Sequence, residues 1–244
     1  MRWRLDRALG LGLCLCGLTA LAGASDDALD MLAQDNARVP SLSCATVSAG
    51  QRDEMALSRS LIEKRIAEGQ LHAAYAEVLS LPPRDAQAAA LRADILRRLG
   101  RPEAGRWYTA LLKTCQAPVA HHGLGLMAAR DGNWTRAVQQ FQQAVRGDSA
   151  NSRFRSDLGY ALLQARADAA AEFELQAAAQ LDAGNRLAGM NLLLLAMVTG
   201  NAARAERYIA QWQPDRQEFD TLWRSCAEVA SRRAGQTVSC PLTL

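Results

Sequence analysis

Few side chains in this 244-residue sequence are able to do covalent or acid–base chemistry. The histidines are His72, His121 and His122. Neighbouring positions on a helix point about 100° apart, so His121 and His122 cannot converge on one metal ion. Of six cysteines, Cys14 and Cys16 lie in an apolar N-terminal run, which leaves Cys44, Cys115, Cys226 and Cys240. No CxxC occurs, so neither a redox dithiol nor a zinc site is indicated. In an oxidising compartment four cysteines allow three pairings. Cys226 and Cys240 are nearest in sequence, and a bond there would staple the tail to the last helix; Cys44–Cys115 would complete that scheme. The alternative is four small side chains buried unpaired. The sequence contains no GxSxG, HExxH, Walker-type loop or GxGxxG. Asp26, Asp27 and Asp30 read as a solvated linker, and Asn133-Trp134-Thr135 as a turn rather than a glycosylation acceptor. The expectation is a protein without enzymatic activity, metal or cofactor.

What remains is where the chain is held and what positions its surface. "MRWRLDR" is a positive n-region, "ALGLGLCLCGLTALAG" an apolar stretch too short to span a bilayer, and small residues close it. Residues 1–24 thus read as a signal peptide. "LAGA" at 21–24 matches a lipobox except at Ala24, the lipid-attachment position, which has no thiol to acylate. Cys14 and Cys16 each follow a leucine where a small residue is required. Ala22-Gly23-Ala24 instead makes an A-x-A cleavage site. The net charge of +3 falls to +1 once Arg2, Arg4, Asp6 and Arg7 are removed, so there is no electrostatic case for nucleic acid.

The body of the chain repeats. "HGLGLMAARDGNWTRAVQQFQQAV" shifted by 34 residues gives "SDLGYALLQARADAAAEFELQAAA", and shifted again gives "MNLLLLAMVTGNAARAERYIAQW". Each unit reads as two helices joined by a tight turn at Gly132, Arg166 or Gly200. Small Ala137, Ala171 and Ala205 let the second helix approach the first, and Phe141, Leu175 and Ile209 fill the space between. Two degenerate units precede them, one carrying Leu61, Gly69, Ala74 and Val78, the other Leu91, Ala104, Tyr108 and Leu111. Residues 25–51 lack periodicity and read as a polar tether, 52–214 as an array of about five repeats, and 215–244 as a capping helix with a tail.

This small–large alternation and unit length resemble the tetratricopeptide repeat (TPR), which implies an all-α helix-turn-helix solenoid. The resemblance also implies a concave groove lined by the first helix of each repeat. Its positions here are His122, Leu126 and Arg130, then Ser156, Tyr160, Leu163 and Gln164, then Leu187, Met190, Leu194, Met197 and Val198. "LAGMNLLLLAMVTG" is apolar on every side. Either the C-terminal helix folds over that face, or it is an apolar trough for a partner helix.

The lipobox-like signal end together with "LGYALLQ" and "NLLLLAMVTG" resembles the TadD-type lipoproteins of Tad (Flp, type IVb) pilus assembly. That resemblance implies a pilotin-like assembly factor at the inner face of the outer membrane, with a secretin or other assembly subunit as partner and no small-molecule substrate. It also implies that relatives carry cysteine at position 24. The alternative is a periplasmic TPR adaptor for another envelope assembly or export process.

Overall fold

A computed structural model describes residues 39–44, 49–233 and 240. Ala24 and the signal segment lie outside the described residues. Among the described residues the chain is all-helical, with one isolated bridge between Ser43 and Asp85. The helices pair as α1 (Ala49–Ala67) with α2 (Leu71–Val78), α3 (Ala86–Arg98) with α4 (Ala104–Leu111), and α5 (Ala117–Arg130) with α6 (Trp134–Gly147). Next come α7 (Ser152–Gln164) with α8 (Asp168–Leu181), and α9 (Arg186–Val198) with α10 (Ala202–Trp212). A last helix, α11 (Arg216–Arg232), follows.

The turn inside each pair has one backbone solution. Gly69, Gly100, Gly132 and Gly200 all sit at φ between 68° and 75°, where a Cβ is costly. Arg166 takes the same place in the fourth pair at φ 63°. In the third and fifth pairs the turn glycine precedes an asparagine, Asn133 or Asn201, whose side chain accepts a backbone N–H of the next helix. Asn151 and Asn185 cap α7 and α9 in the same way.

Small residues set how closely the layers approach. Ala74, Ala104, Ala137 and Ala171 are fully buried on the second helices. Opposite them, a Cβ added at Gly125 would lie 2.6 Å from the Phe141 ring, and one at Gly159 would lie 2.5 Å from Leu175 Cγ. The large residue therefore rests directly on the first helix's backbone. Among the described residues first helices also pack on one another, α1 on α3, α3 on α5 and α7 on α9, more closely than any two second helices do. The array accordingly curves with its first helices on the inside.

Two disulfides fasten its ends. Cys44 is bonded to Cys115 in the turn before α5, and Cys226 of α11 to Cys240. Residues 39–44, in the segment read as tether, are docked: Ser43 N–H donates to the Arg84 carbonyl, and its own carbonyl accepts from Ala86 N–H at 3.0 Å. Helix α1 begins at Ala49, inside the same segment.

Helix α11 opens on a capping box of Asp215 and Glu218. It does not stack on α10 as a further repeat would, but lies against α9 and reaches back to the end of α7. Its buried stripe is Phe219, Leu222, Cys226 and Val229, and the last three join the apolar face of α9 in one cluster. Polar contacts hold both ends. Arg186 donates two hydrogen bonds to the Glu218 carboxylate, each at 2.5 Å. Arg232 donates to Gln164, and its carbonyl accepts from Arg166. Arg233 is 4% exposed and forks onto the Asp168 carboxylate at 2.6 and 2.8 Å. A third N–H of Arg233 reaches the Leu163 carbonyl.

Candidate functional site

The inner face carries a groove of about 610 Å³ between the first helices α1, α3, α5 and α7. Arg59 and Glu63 come from α1, Leu91, Asp94 and Arg98 from α3, His122 from α5, and Arg153 and Phe154 from α7. Ile66, Ala90, Val119 and Phe154 make it apolar in part, and charges ring it.

Those charges fall into two kinds. Some are fixed. Asp94 accepts from Arg97 at 2.5 Å and Arg98 at 2.7 Å. Burial alone would raise the Asp94 carboxyl, but the two guanidiniums outweigh it and hold the group below its ordinary value. Burial, followed by the nearby Asp94 charge, pushes the Tyr108 hydroxyl up to about 12. It therefore remains protonated at the groove floor. Arg59 pairs with Asp85 at 3.6 Å. His122 Nε2 donates to Asp157 at 2.6 Å and stacks on Phe154, ring centroids 4.6 Å apart. This pair ties α5 to α7 across the groove floor. Others are free: Glu63 on α1 and Arg153 on α7 are exposed and have no partner among the described residues.

Only part of the expected groove lies open. Arg130 is exposed beside Asp131, and Leu126 is half-buried against the core. Ser156 is fully buried, donating to the Ser152 carbonyl and accepting from Asn185, so it joins α7 to the α8–α9 turn instead of meeting a partner. Leu163 is fully buried too. Leu194, Met197 and Val198 are in the core, in one cluster with Leu222, Cys226 and Val229 of α11. The expectation that these residues line a free groove is corrected: the C-terminal helix covers the apolar face, because an all-apolar α9 cannot remain in water. Gln164 is spent between the Tyr160 hydroxyl and Arg232. Tyr160, Leu187 and Met190, with the edge of Leu194, line a smaller cleft of about 310 Å³ beside α11.

Sequence reasoning missed the α1 and α3 walls. They are recoverable from the turn residue. Positions ten, six and two before Gly132 are His122, Leu126 and Arg130, and the same steps back from Gly100 give Ala90, Asp94 and Arg98. From Gly69 they give Arg59, Glu63 and Ala67. All six of these earlier residues line the groove. Among the described residues no cluster of His, Cys, Asp or Glu could hold a metal, and no helix is long and apolar enough to cross a membrane.

No family model matches the chain. It is 40% identical over 214 residues to the "TPR repeat-containing protein PA4299" of Pseudomonas aeruginosa, covering 86% of this chain and 80% of that protein. The fold is also that of a solved structure described as "Functional Characterization of Pseudomonas Aeruginosa pilF". The TM-score is 0.59 at 18% identity, over 75% of this chain and 87% of the other. With the repeat register, the inward first helices and this degree of identity together, the chain belongs to the TPR repeat-containing proteins.

Proposed function

We propose that the protein is a non-enzymatic, pilotin-like assembly factor of a Tad (Flp) pilus secretion machine. In this reading it is exported, works in the periplasm at the inner face of the outer membrane, and holds a segment of the secretin or another assembly subunit in the α1–α7 groove. The observation that carries the reading is the groove itself: a partly apolar lining and two unspent opposite charges, Glu63 on α1 and Arg153 on α7. A neutral metabolite would leave those charges unused, whereas a polypeptide can meet both and lay an apolar side chain between them. The lipobox-like end at Ala24 and the fold shared with a protein described as pilF agree with a pilus-linked envelope role.

The test is binding of the purified chain to purified secretin and to the other assembly subunits encoded in the same organism. Leu91→Asp and the double reversal Glu63→Arg/Arg153→Glu should each weaken it while the helical content remains. Affinity unchanged in both variants would sink the groove as the docking surface. Absence of binding to every pilus subunit would sink the pilus assignment.

A further inference from the structure

The outer side of the array, away from the groove, carries a knob and a socket close together. The knob is Phe173 of α8, at 66% the most exposed large apolar side chain among the described residues. Around it on the outward side of α8 are Ala169, Ala170, Gln176, Gln180 and Leu181, exposed and uncharged. The acids of α8 are turned sideways and spent: Asp168 on Arg233, Glu172 on Arg204 and Glu174 on Arg155. A surface helix ordinarily shows charge on its solvent side, and α8 shows a phenyl ring instead.

The socket is a cleft of about 310 Å³ where α8, α9 and α10 meet. Ala169 and Glu172 line it from α8, Leu192, Leu195 and Ala196 from α9, and Arg204 and Tyr208 from α10. Its polar groups are mostly engaged already. Thr199 donates to the Leu195 carbonyl, Asn201 caps α10, and Arg204 donates to Glu172 at 2.5 Å. What is left is apolar surface beside a guanidinium that is 42% exposed. A cation held in that way favours the face of an aromatic ring over an aliphatic or basic group.

Knob and socket also stand at one height. As second helices of successive repeats α8 and α10 run the same way, and the 34-residue step sets Phe173 level with Arg207, between Arg204 and Tyr208. A two-fold axis along these helices therefore brings the Phe173 of each copy to the socket of the other. A knob and its own complement on one face are what an isologous pair requires. We propose that this face binds a second copy of the chain, each Phe173 seated between α8 and α10 of the other copy against Arg204. The uncharged side of α8 lets the copies approach without like-charge repulsion. Helices of 14 and 11 residues offer several hundred Å² per copy, on the order of the weaker, reversible interfaces. The inner groove stays free in such a pair, so this inference and the proposed function fail separately.

The test is sedimentation of the purified chain from nanomolar to high micromolar concentration. A reversible monomer–dimer equilibrium is expected. Phe173→Asp should weaken it about a hundredfold or more, because each dimer loses two buried rings. Ala169→Arg obstructs the socket and should weaken it as well. Both positions are exposed, so helical content should not change. Mixing the two variants should restore association in part, because the Phe173→Asp copy keeps an intact socket and the Ala169→Arg copy an intact knob. A monomer at every concentration overturns the proposal, as does a dimer that neither variant weakens. Mixed variants that associate no better than each alone would overturn the reciprocal seating. A dimer broken by Leu91→Asp and not by Phe173→Asp would place the contact in the inner groove and overturn it equally.

Discussion

The fork of Arg233 on Asp168 allows an asymmetry to be worked out and measured. The guanidinium is buried, whereas the Asp168 side chain is 34% exposed. Replacing Asp168 with alanine strands the cation in the core, with its Nε already unpaired and one remaining bond, to the Leu163 carbonyl. Breaking a buried pair in this direction costs about 3–5 kcal/mol, because the surviving charge has nowhere to go except by lifting the end of α11. Replacing Arg233 with methionine keeps the packing and leaves a carboxylate that water already reaches. That change costs about 1.5–3 kcal/mol, the worth of charge-assisted hydrogen bonds. Asp168 also sits in the first turn of α8, where its charge contributes a further ~0.3–1 kcal/mol that the Arg233 variant retains. A repeat array opens locally before it unfolds globally, so the right observable is amide exchange along α11. Asp168→Ala should reduce protection from Phe219 to Val229 by roughly 100-fold or more, since about 1.4 kcal/mol is tenfold. Arg233→Met should reduce it by clearly less, and protection in α5 and α6 should not move in either variant. Equal effects, or a larger effect from Arg233→Met, would refute the argument that the burial of the cation governs the latch.

Acid should loosen the other end of α11. The Arg186 hydrogen bonds, with the Asp215 backbone N–H, hold Glu218 down at about 2, against an ordinary value of 4.5. The stabilisation is therefore fully present above about pH 4.5 and is lost as pH falls towards 2. Trp223 fluorescence should report a transition across that window that Arg186→Gln removes; a transition unchanged in the variant would refute the assignment. Gly159→Ala should destabilise by about 1–3 kcal/mol, because its Cβ would lie 2.5 Å from Leu175, as urea unfolding would show. Gly105→Ala meets only the Met127 methyl at 3.6 Å and should be neutral or stabilising by about 0.5–1 kcal/mol on the same assay. Converting Cys44 and Cys115 to serine opens a loop whose ends are 71 residues apart and should destabilise α1–α4 by about 4 kcal/mol. Exchange that accelerates in α9–α11 instead would show that the bond serves the whole array.

The repeat register was legible because it rests on local rules. Gly132 and Gly200 are where the backbone must turn left-handed, and the asparagine after each caps the next helix. Ala137, Ala171 and Ala205 then mark the positions where two helices touch. These constraints act within about one repeat, so a single sequence displays them. The groove was legible only in register. His122 and Arg130 follow from counting back from the turn, but whether such a position faces water depends on what folds against it later. Leu194 and Tyr160 stand at the same step in successive repeats, yet Leu194 is 1% exposed and belongs to the core, whereas Tyr160 is only half-buried. The difference is made by α11, which turns back over α9 and spends Arg233 on Asp168, 65 residues away. An amphipathic stripe such as Phe219, Leu222, Cys226 and Val229 must be buried, and the sequence determines that much. Which surface receives it is a competition between faces distant in the chain, and only the assembled array decides it.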